Sequence, residues 1–446
     1  MTRPRARTGI RTTRLPNGLT VILREMRHAP VVSVWCWYRV GSRDERPGVT
    51  GISHWVEHMN FKGTRSIRKD DVTRRVELAG GTWNGYTWLD VTSYFETVQS
   101  DALEAMLRLE ASRMTECLYS RPEVERERTV VISELQGGEN DPRTYLEKEV
   151  TGTALQAHPY RWPTIGYLSD LRAITRDDLY AHYRRYYVPN NSILVVTGDF
   201  ETPRALGLVR RHFGKIRAGA DPPQVRTQEP LQGGERRLTL RRPSGAAYLD
   251  VAFHAPAAAD PDFPALLLLD GILAGGPTVN AWGGHDGRGP AKSSRLYRAL
   301  VEGDLASEVS TSIVPTRHPY LYRIVVTAKE GVEPVRIEAA LDTEIDRLAR
   351  GDLQPRDLER ARNQFVARYA LESESTTDAA HQLGFFETIG GHALFLELPR
   401  RVAAVGAADV ARLARARLAA DRRTVGALLP AGPSAVPVAA PGRPPR

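Results

Sequence analysis

The sequence holds only two cysteines in 446 residues, Cys36 and Cys117, and neither sits in a C-x-x-C pair. Two thiols cannot build a disulfide framework, which excludes a small stapled secreted scaffold and leads us to expect a reducing compartment. Cys36 lies within Val34-Trp35-Cys36-Trp37-Tyr38 and reads as a buried structural thiol. Long hydrophobic runs are also missing. Ala265-Leu266-Leu267-Leu268-Leu269 is one of the longest, far short of the about 20 apolar residues that cross a bilayer. No membrane role is expected. The basic start, Met1 to Arg7, has no apolar stretch or small-residue cleavage site behind it, so no secretory signal is read and a cytoplasmic location is expected. The net charge is +8, but 61 Lys and Arg are mixed with 53 Asp and Glu along the chain. That pattern describes a solvated surface, and no nucleic-acid partner is expected.

What is present is ordinary globular composition, with length for two to four domains and ample core. A Gly/Pro-punctuated stretch from Ala218 to Gly234 divides the chain into two halves that run in the same order: strand, helix, Gly-rich turn, strand, then long charged helices. Pro122-Glu123-Val124-Glu125-Arg126-Glu127 corresponds to Pro355-Arg356-Asp357-Leu358-Glu359-Arg360, which points to internal duplication. We expect a first domain over 1–220, a linker over 221–235, a second domain over 236–430 and a disordered Pro/Ala/Gly tail over 431–446.

The chemistry centres on His54-Trp55-Val56-Glu57-His58. On a helix, residues i and i+4 lie one turn apart on one face, so His54 and His58 can aim neutral ring nitrogens at one ion. Glu57 projects beside them, where a carboxylate can act as general base toward an activated water. A catalytic zinc takes three protein ligands and keeps one position open, so a third donor is expected downstream. The stretch Glu127 to Leu135 reads as helix, with Glu127 and Glu134 seven apart on one face. Glu134 can ligate, and Glu127 can orient a ligand histidine or the water. An exposed charged helix is the plain alternative. The second half lacks these groups. Its matching helix, around Pro264 to Asp270, has no histidine, and Glu127 and Glu134 map to Arg360 and Ala367.

The order H-x-x-E-H, with Glu134 placed after it, resembles the inverted-zincin metallopeptidases of the pitrilysin or insulinase family, which includes the mitochondrial processing peptidases. Val40-Gly41-Ser42-Arg43-Asp44-Glu45, Phe61-Lys62-Gly63-Thr64, His158-Pro159-Tyr160 and Tyr186-Tyr187-Val188-Pro189-Asn190-Asn191 are similar to that family's surroundings. The resemblance implies an α+β fold of two homologous halves, each a mainly antiparallel sheet with helices packed on one face, closing as a clamshell half-chamber. It implies one Zn2+ per chain held by His54, His58 and Glu134, with Glu57 and Glu127 as catalytic groups. It implies too that an extended peptide pairs with the edge strand at Asn84, Gly85, Tyr86 and Thr87. Gly275 to Pro290 resembles the glycine-rich loop of a non-catalytic processing-peptidase subunit. One departure stands out. Many members carry an Arg and a Tyr in the second half to bind substrate, and Val301 and Ser307 stand there instead. The expected function is therefore a zinc endopeptidase acting as the catalytic subunit of a heterodimer, with a homologous sister subunit supplying that pair. The alternative is a non-catalytic structural or binding subunit of a related complex.

Overall fold

A computed structural model describes residues 9–276 and 292–431. Most of the glycine-rich segment 275–290 and nearly all of the tail expected over 431–446 lie outside the described residues. Two sheets account for the strands. The first contains β1 (Ile10–Arg14), β2 (Thr20–Glu25), β3 (Val31–Tyr38), β4 (Thr82–Thr87), β5 (Thr92–Gln99) and β6 (Ser192–Gly198), in the order β1-β2-β6-β3-β5-β4. The second contains β7 (Arg236–Arg242), β8 (Tyr248–Ala255), β9 (Ala306–Ile313), β10 (Tyr320–Ala328) and β11 (Arg423–Pro430), in the order β7-β11-β8-β10-β9. Set aside β1, and the two orders coincide. Each has one parallel pair, β2 with β6 and β7 with β11, and is otherwise antiparallel. The duplicated α+β architecture expected from the sequence is present.

The first half carries α1 (Ile52–Met59), α2 (Lys69–Leu78), α3 (Leu103–Glu116), α4 (Arg121–Asn140), α5 (Pro142–Ala154), α6 (Leu168–Ala173), α7 (Arg176–Tyr186) and α8 (Thr202–Phe213). The second carries α9 (Phe263–Leu273), α10 (Pro334–Ala349), α11 (Pro355–Leu371), α12 (Thr376–Ile389), α13 (Ala393–Ala403) and α14 (Ala407–Arg417). Strand β3 shows how the faces are allotted. Its side chains alternate, so Val32, Val34, Cys36 and Tyr38 join one core with residues of α1, α3, α7 and α8. Trp35 and Trp37 point the other way, with Ile193, Val195 and Phe95.

That second face is covered by α12, a helix of the other half, through Ala380, Leu383 and Phe385. The exchange is reciprocal. Helix α5 of the first half lies on the second sheet, with Leu146, Val150 and Ala154 packed against Ala252 and Leu428. Polar bonds fasten α12 in place: Thr197 donates its hydroxyl to the Thr376 carbonyl at 2.7 Å, and Tyr86 Oη and His381 Nε2 meet at 2.7 Å. The segment between the halves has no regular structure but is tied down. Glu229 accepts from the backbone N–H groups of Gln156, Ala157 and His158, and Asn190 bonds to Gly219 and Asp221.

Close approach of α12 to β3 requires Gly384, since a Cβ there would stand 2.0 Å from Trp37 Nε1. Trp37 is fully buried and cannot give way cheaply. Gly384→Ala is expected to destabilise the protein by about 1–3 kcal/mol, read as a lower urea midpoint at unchanged slope. His381 supplies a second test. Burial pulls its pKa down to about 3. The unfolded chain then binds more protons than the folded one as pH falls below the ordinary value of about 6.5. His381 therefore costs stability in that window. The His381→Gln variant should lose stability less steeply than the parent between pH 6.5 and 4, by up to about 1.4 kcal/mol per pH unit, measured by urea titration at each pH.

Candidate metal centre

Helix α1 buries Ile52, Trp55, Val56 and Met59, which turns His54 and His58 toward the opposite rim. Its N-cap, Gly51, has no side chain to satisfy the first backbone donors. Glu45, six residues earlier, does so instead, accepting from Gly51 N at 2.7 Å and Ser53 N at 2.8 Å. Burial pushes the Glu45 carboxyl up to about 8, against those hydrogen bonds. Helix α4 crosses nearby with Val124, Glu127, Val131 and Leu135 as its buried stripe. Arg128 locks the crossing: its guanidinium lies 4.7 Å from the Trp55 ring centroid and donates to the carbonyls of Leu171 and Ile174 at the end of α6.

These contacts bring three donors together. One ligand atom each of His54, His58 and Glu134 lie within 4.8 Å of one another, and no other such group occurs among the described residues. The two Nε2 atoms are 3.2 Å apart, and the Glu134 oxygens lie 3.8 Å from His54 Nε2 and 3.5 Å from His58 Nε2. A tetrahedral ion at about 2.1 Å from each nitrogen would set its ligands about 3.4 Å apart. The donor set, two imidazoles and a carboxylate with one side open, fits zinc on spacing and on chemistry.

The remaining polar groups divide around it. Glu127 Oε1 is 2.9 Å from His58 Nδ1, and Lys62 Nζ is 2.5 Å from Glu127 Oε2. His54 Nδ1 is buried and has no such partner. The two histidines respond oppositely. Burial pulls His54 down to about 3, with His58 adding to the shift. At His58 burial also pulls down, but the hydrogen bond to Glu127 and the nearby carboxylates outweigh it and leave the ring above its ordinary value. Burial works against the charge on Glu127 as well, and the hydrogen bonds from His58 and Lys62 more than offset it. Glu57 is buried beside the donors, and that burial lifts its carboxyl to about 7, opposed by His58 and by the Thr87 hydroxyl. Thr87 Oγ1 donates to Glu57 Oε2 at 3.1 Å.

The residues read as a peptide edge lie on β4, an outer strand that among the described residues pairs only with β5. Their side chains are differently engaged. Asn84 is exposed and accepts from Gly85 N, Tyr86 turns inward to His381, and Thr87 holds Glu57. Sequence reasoning assigned no role to Lys62 or Glu45. Lys62 sits four residues after His58, a spacing that could have flagged it. Nothing local marks Glu45, because its partners are backbone groups. A cavity of about 280 Å³ opens beside Glu134, lined in part by Trp88, Leu135, Tyr145, Lys148 and Trp162. In the second half, Arg360 and Ala367 occupy α11 where Glu127 and Glu134 lie on α4, and α9 is buried throughout.

Comparison with known proteins gives two adjoining family matches. The family model described as "Insulinase (Peptidase family M16)" matches residues 20–167, and the one described as "Peptidase M16 inactive domain" matches residues 173–365. The zinc protease PqqE of Helicobacter pylori is 27% identical over 373 residues, covering 82% of this chain and 80% of that protein. The probable mitochondrial-processing peptidase subunit beta of Arabidopsis thaliana is 27% identical over 412 residues, covering 91% of this chain and 75% of that protein. A crystal structure of a protease from Helicobacter pylori superposes with a TM-score of 0.88 at 24% identity, covering 94% of this chain and 99% of that one, which establishes likeness of fold. With adjoining M16 models over residues 20–167 and 173–365 and the inverted-zincin helix within the first match, the chain belongs to peptidase family M16, the insulinase family.

Proposed function

We propose that the chain is a zinc-dependent endopeptidase acting on extended peptides, and that it works as the metal-bearing member of a pair with a homologous sister chain. The observation that carries the reading is the convergence of His54, His58 and Glu134 beside the buried Glu57. A zinc ion held by those donors supplies Lewis-acid activation of water and of the scissile carbonyl. Glu57 accepts the proton of the attacking water on one carboxylate oxygen while Thr87 steadies the other. It then returns that proton to the departing amine. A carboxylate held beside the metal donors can serve both transfers. Glu127 holds His58 in one orientation, and β4 offers its outer backbone groups to a peptide lying alongside. Because Tyr86 and Thr87 are engaged inward, this pairing recognises backbone more than sequence. Side-chain choice then falls to the cavity beside Glu134.

The sister chain is invoked for a chemical reason. Val301 and Ser307 cannot supply the guanidinium and phenol that many members of the family use across the chamber. Ser307 is exposed on β9, and its hydroxyl bonds to the Thr327 carbonyl.

Two measurements test these proposals. Glu57→Gln should retain one zinc per chain by elemental analysis and lose peptide turnover by at least about 100-fold, whereas His54→Ala, His58→Ala and Glu134→Ala should lose the metal. Robust turnover by Glu57→Gln would remove it as the base. The chain purified alone should turn peptides over weakly and gain activity when a homologous partner is added. Full activity as a monomer or homodimer would dismiss the pairing.

A further inference from the structure

Lys62 takes no part in the chemistry above, yet the backbone is arranged to deliver it. Helix α1 ends at Met59, and the N–H groups of Phe61 and Lys62 bond back to the carbonyls of His58 and Met59 at 3.2 and 3.1 Å. The turn therefore continues the sense of the helix for one more step and brings Lys62 to the neighbourhood of His58. Gly63 then breaks it, with φ at +90° and no room for a Cβ, which would stand 2.7 Å from Lys69 N. The outcome is a linear chain of contacts. Lys62 Nζ meets Glu127 Oε2 at 2.5 Å, Glu127 Oε1 meets His58 Nδ1 at 2.9 Å, and His58 Nε2 faces Glu134 and His54. The Lys62 side chain is 19% exposed and that of Glu127 6%, so this pair is little screened by water.

Glu127 has two oxygens and two neighbours. With Lys62 on Oε2, the carboxylate plane is set and Oε1 is left for His58. Oε1 accepts only, so the hydrogen of the neutral imidazole must sit on Nδ1 and the lone pair on Nε2, the atom that faces the other donors. Without the cation, a buried carboxylate would face a single neutral N–H and would be free to turn toward water. We infer that Lys62 is a positioning residue for the metal ligand His58, acting through Glu127 to fix the ring's plane and tautomer and so to set zinc affinity. This rests on the reading of His54, His58 and Glu134 as zinc donors.

The test compares Lys62→Met and Lys62→Arg with the parent, using zinc alone as the probe. Competition against a chromophoric chelator should show affinity weakened about 10- to 100-fold in Lys62→Met and largely recovered in Lys62→Arg, with similar melting temperatures for the three metal-free proteins. Ring-nitrogen spectra of histidine-labelled, metal-free protein at alkaline pH should show His58 as the Nδ1–H tautomer in the parent and Lys62→Arg, and as a mixture in Lys62→Met. Unchanged affinity in Lys62→Met, or a loss that arginine does not recover, overturns the inference. If the parent binds no zinc, the donor reading itself fails. The ring spectra then still decide whether Lys62 orients His58, and identical spectra in all three proteins reject it.

Discussion

Each sheet of this protein has one face closed by helices of its own half and the other by a single helix from the opposite half. The burial this achieves is large and aromatic: Trp35, Trp37 and Phe95 lie under α12. Glu134 depends on it indirectly. Helix α4, which carries Glu134, passes into α5 through Asp141 and Pro142, where the Asp141 side chain accepts from Thr144 N. Because α5 is packed on the second sheet, α4 is gripped at both ends, by Trp55 and α6 near its start and by the other half beyond its finish. The spacing of the donors is thus a property of both halves, although all three donors come from one.

Around the donors, burial and charge compensation compete and are resolved differently from residue to residue. His54 and His58 share a helix and a neighbourhood, yet their proton affinities diverge because only His58 has a carboxylate on its outer nitrogen. Glu57 and Glu127 make a similar contrast. Glu127 is bonded to His58 and Lys62 and keeps a low proton affinity, while burial lifts Glu57 toward neutrality against His58 and the neutral hydrogen bonds of Thr87. Depth and the charge of the partners together separate a carboxylate suited to holding a ligand from one suited to moving a proton. The second half shows the same scaffold without the donors: α9 is buried from end to end, and its one carboxylate, Asp270, accepts from the Tyr322 hydroxyl.

The part of the site legible from sequence was the part that one helix determines. His54, Glu57 and His58 are fixed relative to each other by helical geometry alone. Glu134 needed a contact 76 residues away, and helical phase with Glu127 together with family resemblance located it. The duplicated order of strands and helices was legible too, because the Pro-led starts of α4 and α11 repeat. The exchange of α5 and α12 was not. Periodicity tells which side of a helix is apolar but not which sheet will cover it. The same limit applies to β4, where alternation predicts two faces and cannot tell that Tyr86 reaches a helix of the other half while Thr87 reaches Glu57. Glu45 and Lys62 stayed silent because each acts on a group that local spacing does not name.

The reciprocal helices bear on how small a working fragment can be. The donors span residues 54 to 134, and a cut after residue 220 would keep all of them. It would also strip α12 from the first sheet, leaving two indoles and a phenyl ring facing water, and would leave the apolar side of α5 with nothing beneath it. The smallest unit that can shape this pocket for an ion therefore includes α12 and the strands on which α5 rests, and so extends to the end of β11 at residue 430. For truncation or transplantation, the two halves are one indivisible part.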